Sequence, residues 1–165
     1  MLQLIQIRPP GADTTHVPKV SDGSLDWRKE TLTTSPQPLD SAASRRVLVV
    51  EDDPVISHLI DHLLRRRGFT VQVASDGQQA DELLDTLPPP AVVILDVMLP
   101  FVDGFTLVER LRRTQGWANV PVIMLTSKSQ ESYVVRAFGA GVNDYVIKPF
   151  RPEELVARVR RLTEH

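Results

Sequence analysis

From Arg46 onward the apolar residues follow two alternating periods. Short apolar runs of strand type occur at Val47–Val50, Thr70–Ala74, Ala91–Leu95, Val120–Leu125 and Tyr145–Ile147. Between them, apolar residues recur at helical spacing. Ile56, Leu59, Ile60, Leu63 and Leu64 fall at i, i+3, i+4, i+7 and i+8, the stripe of an amphipathic helix. Asp53-Pro54 supplies its cap and first turn, and Gly68 its stop. Ser75 opens a second helix through Ala80, Leu83, Leu84 and Leu87, which Pro88-Pro89-Pro90 halt. Phe105, Leu107, Val108 and Leu111 line a third helix, after a turn at Gly104. Val134, Val135 and Phe138 belong to a fourth, closed by the glycines at 139 and 141. Pro152 starts the last, with Leu155, Val159 and Leu162 on its inner face.

Strands that alternate with helices predict an α/β fold: a parallel sheet joined by right-handed crossovers. The run at 91–95 is apolar throughout, as a strand buried on both faces must be. Ligands of such sheets bind beyond the carboxyl ends of the strands. The residues expected there are Glu51 and Asp52 after the first strand, Asp96 after the third, Thr126 after the fourth and Lys148 after the fifth.

The first forty-five residues have another texture. They hold five of the thirteen prolines, many Ser and Thr, and no sustained helical period. Leu2, Leu4 and Ile7 fit one short strand, with Leu25 and Trp27 as the other anchors. The segment reads as a poorly ordered extension or short β element, 1–45, before a domain spanning 46–165.

Bulk properties narrow the function classes. The chain has 165 residues, 42% of them hydrophobic, which suits one domain with a real core plus an extension. A formal net charge of −2 gives no push towards direct nucleic-acid binding. No apolar run approaches the ~18 residues of a membrane span, and the start lacks the pattern of a signal peptide. There is no cysteine, which agrees with a cytoplasmic location and excludes thiolate chemistry.

Three carboxylates gathered at one crevice repel one another, so a cation must hold them. All-oxygen ligands point to a hard ion, and Mg²⁺ fits best because it accepts a few carboxylates and keeps several waters. Lys148 adds a compact positive charge and Thr126 a hydroxyl donor. A carboxylate, Mg²⁺, a lysine and a hydroxyl suit in-line phosphoryl transfer to the carboxylate. Read singly, each residue has a plain structural role: Glu51-Asp52 a solvated turn, Asp96 a strand-end cap, Thr126 a helix cap, Lys148 surface charge.

The residues Arg46–Leu162 resemble the receiver domain of bacterial two-component response regulators. The resemblance rests on VLVVEDDP, VVILDVMLP followed by the Asp103-Gly104 pair, PVIMLTS and GAGVNDYVIKPF, in that order and spacing. It implies a doubly wound, flavodoxin-like sheet of five strands in the order 2-1-3-4-5, flanked by five helices. It implies Asp96 as phosphoacceptor, fed by a sensor histidine kinase or phosphotransfer protein. Glu51, Asp52, Asp96 and the backbone carbonyl of Met98 would hold Mg²⁺. Thr126 and Tyr145 would form a switch pair that moves the surface of the last two helices and fifth strand. Lys148-Pro149 would be a cis peptide.

Receivers of the winged-helix branch dimerise through that surface by interlocking charges, as a phosphorylation-dependent homodimer. Asp144, Glu154 and Arg158 fit the pattern, whereas Val134 stands where the basic residue of the fourth helix is expected. The downstream output domain or partner stays open. Two other readings compete. An aspartate-nucleophile phosphatase also uses a strand-end Asp, Mg²⁺, Thr and Lys, but places a second aspartate where this chain has Met98. An inert domain of receiver fold would not need the full acid set. The side chains flanking the path of a hydrolytic water would be Met98 and Lys128, neither of which accepts a proton from it. A slowly hydrolysing phosphoaspartate is expected.

Overall fold

A computed structural model describes residues 45–127 and 131–164. Its strands are β1 (Arg46–Val50), β2 (Thr70–Ala74), β3 (Val92–Asp96), β4 (Val122–Thr126) and β5 (Asp144–Ile147). Its helices are α1 (Pro54–Arg65), α2 (Gly77–Thr86), α3 (Gly104–Arg113), α4 (Glu131–Gly139) and α5 (Pro152–Thr163). The strands pair in parallel in the order β2-β1-β3-β4-β5. The expected topology is therefore present. The short strand and anchors expected within 1–45 lie outside the described residues, as does Lys128.

Side-chain alternation along the strands divides the core in two. Leu48, Val50, Val93, Leu95, Val122 and Met124 pack with α2 and α3 residues such as Leu84 and Leu111. Val47, Val49, Val92, Ile94, Ile123 and Leu125 pack with Ile60 and Leu64 of α1 and Leu155, Val156 and Val159 of α5. Each central strand is buried on both faces, as the unbroken apolar runs require.

Several boundaries differ from expectation, for local reasons. β3 and β4 extend one residue further, because Val97 N–H reaches Leu125 O (3.0 Å) and Lys148 N–H reaches Thr126 O (2.8 Å). Asp96 and Thr126 thus end their strands rather than follow them. β4 begins at Val122 because Val120 N–H turns back to Trp117 O and Pro121 has no N–H to give the ladder. The helix expected from Ser75 starts at Gly77. Asp76 is its cap, accepting from Gln79 N–H (2.7 Å), while Gln79 Oε1 accepts from Ser75 N–H (2.7 Å). The exchange satisfies one donor that the helix start leaves open, Gln79 N–H, and the N–H of Ser75 just ahead of the cap. In α4, Ala137 is the buried residue, and Val135 and Phe138 face solvent.

Gly104 matters for the site. A Cβ there would lie 2.4 Å from Asp96 O, so only glycine lets α3 start directly against the end of β3. Asp103 caps this helix, accepting from Phe105 N–H (2.9 Å), Thr106 N–H (3.1 Å) and Thr106 Oγ1 (3.0 Å). Burial would raise the Asp103 carboxyl, but these hydrogen bonds outweigh it and hold the group below its ordinary value.

Candidate functional site

The site is assembled at the carboxyl ends of β1, β3, β4 and β5. Glu51 follows β1 and is fixed by its N–H to Ala74 O (3.1 Å). Alternation places Glu51, Asp96 and Lys148 in the same register as Val49, Ile94 and Val146, so the three converge from neighbouring strands. Lys148 Nζ donates to Glu51 Oε1 (2.8 Å) and Oε2 (2.6 Å) and to Asp96 Oδ2 (2.5 Å). Asp96 Oδ1 accepts from Met98 N–H (3.0 Å). Glu51 is 1% exposed and Asp96 5%, while Asp52 faces solvent.

The charges are unbalanced. Glu51, Asp52 and Asp96 each place a carboxylate oxygen within 4.8 Å of the others. One ammonium among three carboxylates leaves two negative charges uncompensated in a half-buried crevice. Burial raises the Glu51 carboxyl above its ordinary value, and the hydrogen bonds from Lys148 only partly offset this. Burial alone would lower Lys148, but its bonds to Asp96 and Glu51 prevail and raise it. The lysine is thus held protonated. The donor set is all oxygen, carries two excess charges and has one ligand open to water, which suits a hard divalent cation that retains waters.

Thr126 is fully buried, and Tyr145 is partly buried against the α2–α3 side of the core. Their side chains share a hydrogen bond, and burial raises the Tyr145 phenol. Tyr145 pairs with Met124 and Ile147 with Thr126, so the tyrosine lies two residues back along the sheet from the site. Lys148-Pro149 is cis, as the resemblance implies.

The charges considered for a dimer are engaged within the chain. Arg158 pairs with Asp144 (2.7 Å) and Glu154 (2.7 Å), and Arg161 also reaches Asp144 (2.8 Å). The α4 base Arg136 stacks on the Phe105 ring at 4.0 Å. Sequence reasoning missed Arg136, Arg161 and also Phe101. Phe101 takes a positive φ of 68° in the loop after β3, and its side chain is exposed. Its only signal was a bulky residue in a Pro-x-x-Asp-Gly turn.

The model of the response regulator receiver domain family matches residues 47–160. The chain belongs to this family. The receiver is 45% identical over 117 residues to the DNA-binding dual master transcriptional regulator RpaA of Synechocystis, covering 71% of this chain and 48% of RpaA. It is 44% identical over 116 residues to the DNA-binding response regulator MtrA of Mycolicibacterium smegmatis, covering 70% and 49%. The chain spans about half the length of these curated relatives. Among solved structures, it resembles the receiver domain of the Francisella response regulator 1452. The TM-score is 0.68 and the identity 33%, over 73% of this chain and 97% of that one. It also resembles the receiver of sensor histidine kinase PA1611 from Pseudomonas aeruginosa, solved with a magnesium ion coordinated in the active site cleft. There the TM-score is 0.67 and the identity 30%, over 73% and 98%. Receivers of this family work in two-component signal transduction, with histidine kinases as partners, and bind Mg²⁺ at an acidic site. Among the described residues, no helix is long and apolar enough to cross a membrane.

Proposed function

We propose that residues 46–165 form a phosphoacceptor switch in the cytoplasm, with Asp96 as the acceptor and residues 1–45 as an extension outside it. The carrying observation is the Lys148 ammonium held between Asp96 and Glu51 with Asp52 alongside, a constellation with two excess negative charges. Asp52, Glu51, Asp96 and the Met98 carbonyl would hold Mg²⁺, whose charge would neutralise phosphoryl oxygens.

The Asp96 carboxylate attacks the phosphorus of a phosphohistidine, in line with the departing imidazole. A P–O bond forms as the P–N bond breaks, and the electron pair leaves with the ring nitrogen. Lys148 then exchanges its contact with the carboxylate for one with a phosphoryl oxygen, and the Thr126 hydroxyl donates to another. Drawing Thr126 to the phosphoryl group alters its hydrogen bond with Tyr145 and biases the α4–β5–α5 surface. The receiver acts on no other substrate. It contacts no nucleic acid itself; DNA binding, as named for RpaA and MtrA, would belong to an output domain or partner. Phosphorylation-dependent dimerisation would require Asp144, Glu154 and Arg158 to release their internal partners.

Acetyl phosphate with Mg²⁺ tests this reading. One phosphoryl group per chain is expected on the wild type and none on Asp52→Ala. Continuous turnover of a generic phosphomonoester would instead make the protein a phosphatase. No labelling of the wild type would make it an inert domain.

A further inference from the structure

Phe101 combines two unfavourable features. Its φ of 68° lies in the left-handed region, which crowds the Cβ of any bulky residue. Its side chain is also 83% exposed. The turn is tightly defined: Val102 N–H bonds to Pro100 O at 2.8 Å, an i to i+2 closure around Phe101. With a positive φ this is a γ-turn of the rare, strained kind. Pro100 O also accepts from Gly77 N–H at 3.3 Å, tying the turn to the start of α2. A Cβ on Gly77 would lie 2.1 Å from Val102 O, so the two segments are in close contact. Strain of this sort persists only where the surroundings over-determine it. The ring therefore makes little of its own packing, yet it is presented on a fixed backbone.

The turn lies in the loop that runs from Asp96 to the cap of α3. Met98 in the same loop and Val55 at the start of α1 are exposed too, at 55% and 75%. Three apolar side chains thus stand around the carboxyl end of the sheet beside a charged crevice. We propose that Phe101 is an aromatic anchor for the protein that delivers the phosphoryl group, a phosphohistidine-bearing partner docking over the cleft. This rests on the proposed role of Asp96. Such a donor must bring its phosphorus within bonding distance of the Asp96 carboxylate, so its surface has to cover the rim of the cleft. A partner reading only α4 and β5 has no such requirement. A preformed aromatic loses little conformational freedom on docking and suits an interface hot spot.

The test separates small from protein donors. Phe101→Gly and Phe101→Asn tolerate the positive φ, and Phe101→Tyr keeps the ring. Each is labelled with acetyl phosphate and, separately, with the autophosphorylated sensor-kinase core from a panel that labels the wild type fastest. The expected result has three parts. Phe101→Gly melts at a higher temperature than wild type. All three variants keep wild-type labelling by acetyl phosphate. Phe101→Gly and Phe101→Asn lose about tenfold or more in kcat/KM with the kinase, mainly through KM, while Phe101→Tyr retains it. Unchanged transfer from the kinase overturns the proposal. Equal losses with both donors overturn it as well, since the loop would then shape the site rather than the docking. Loss of self-association in sedimentation with transfer intact would assign the ring to a second copy. Wild-type protein that neither donor labels at Asp96 refutes the underlying reading instead.

Discussion

Lys148 Nζ lies 2.5 Å from Asp96 Oδ2 and 2.6 Å from Glu51 Oε2, so one ammonium serves two buried carboxylates. Lys148→Ala would leave both acids without their cationic partner, with only backbone N–H donors from Met98 and Asp53 remaining. Removing one member of a buried charge cluster costs about 3 kcal/mol or more. The variant should unfold at clearly lower urea than wild type, with Mg²⁺ restoring part of the loss. The sign with pH follows from the raised lysine value. Its contribution is fully present below the ordinary lysine range and is lost as pH rises through the higher folded-state value. Urea titrations from neutral to strongly alkaline pH check this.

Metal affinity should fall with acid earlier than an ordinary carboxylate predicts. Burial raises Glu51, so the folded protein binds this proton more tightly than the unfolded chain does. Protonating Glu51 therefore favours the folded state, but it removes a metal ligand. Calorimetric Mg²⁺ titrations should weaken as pH falls through the raised value, above the ordinary 4.5. Glu51→Gln should bind more weakly throughout and lose that part of the pH dependence.

The apolar runs and helical stripes made the sheet, its helices and the ends of its strands legible in the sequence. Glu51, Asp52, Asp96 and Lys148 meet because strand ends in a parallel sheet share one edge, the edge at which Thr126 ends β4. What stayed illegible depends on contacts between distant segments. Arg112 reaches Ala118 O, Val120 O, Gly141 O and Asn143 Oδ1, stapling two loops in a way no local pattern encodes. Trp117 is 2% exposed within a stretch that has no period. Arg158 and Arg161 converge on Asp144 only through the packing of α5 on β5. The left-handed Phe101 breaks the propensity rules on which local reading relies.

The switch should fail without the threonine hydroxyl. Thr126 is fully buried and hydrogen-bonded to Tyr145. Thr126→Val should still accept a phosphoryl group while losing the chemical-shift changes of α4 and β5 that follow in wild type. Equal changes in both proteins would separate the hydroxyl from the switch.

The phosphorylated state should be long-lived. Met98 is exposed beside Asp96 and offers no hydrogen bond to orient a water. Met98→Asn should shorten the lifetime by roughly tenfold, the scale of one positioning contact. The decay of the phosphorylated fraction after removal of donor gives the comparison.

Asp96 as sole phosphoacceptor is the central claim. Its most direct measurement is peptide mapping by mass spectrometry after labelling wild type and Asp96→Asn with acetyl phosphate and Mg²⁺. The amide is a far poorer nucleophile, and Lys148 keeps its pair with Glu51 in the variant, so the fold should persist. The account predicts one phosphoryl group on the wild-type peptide containing Asp96 and an unmodified variant with native circular dichroism. A phosphoryl group on the folded Asp96→Asn protein, at any residue and in stoichiometric amount, would contradict it.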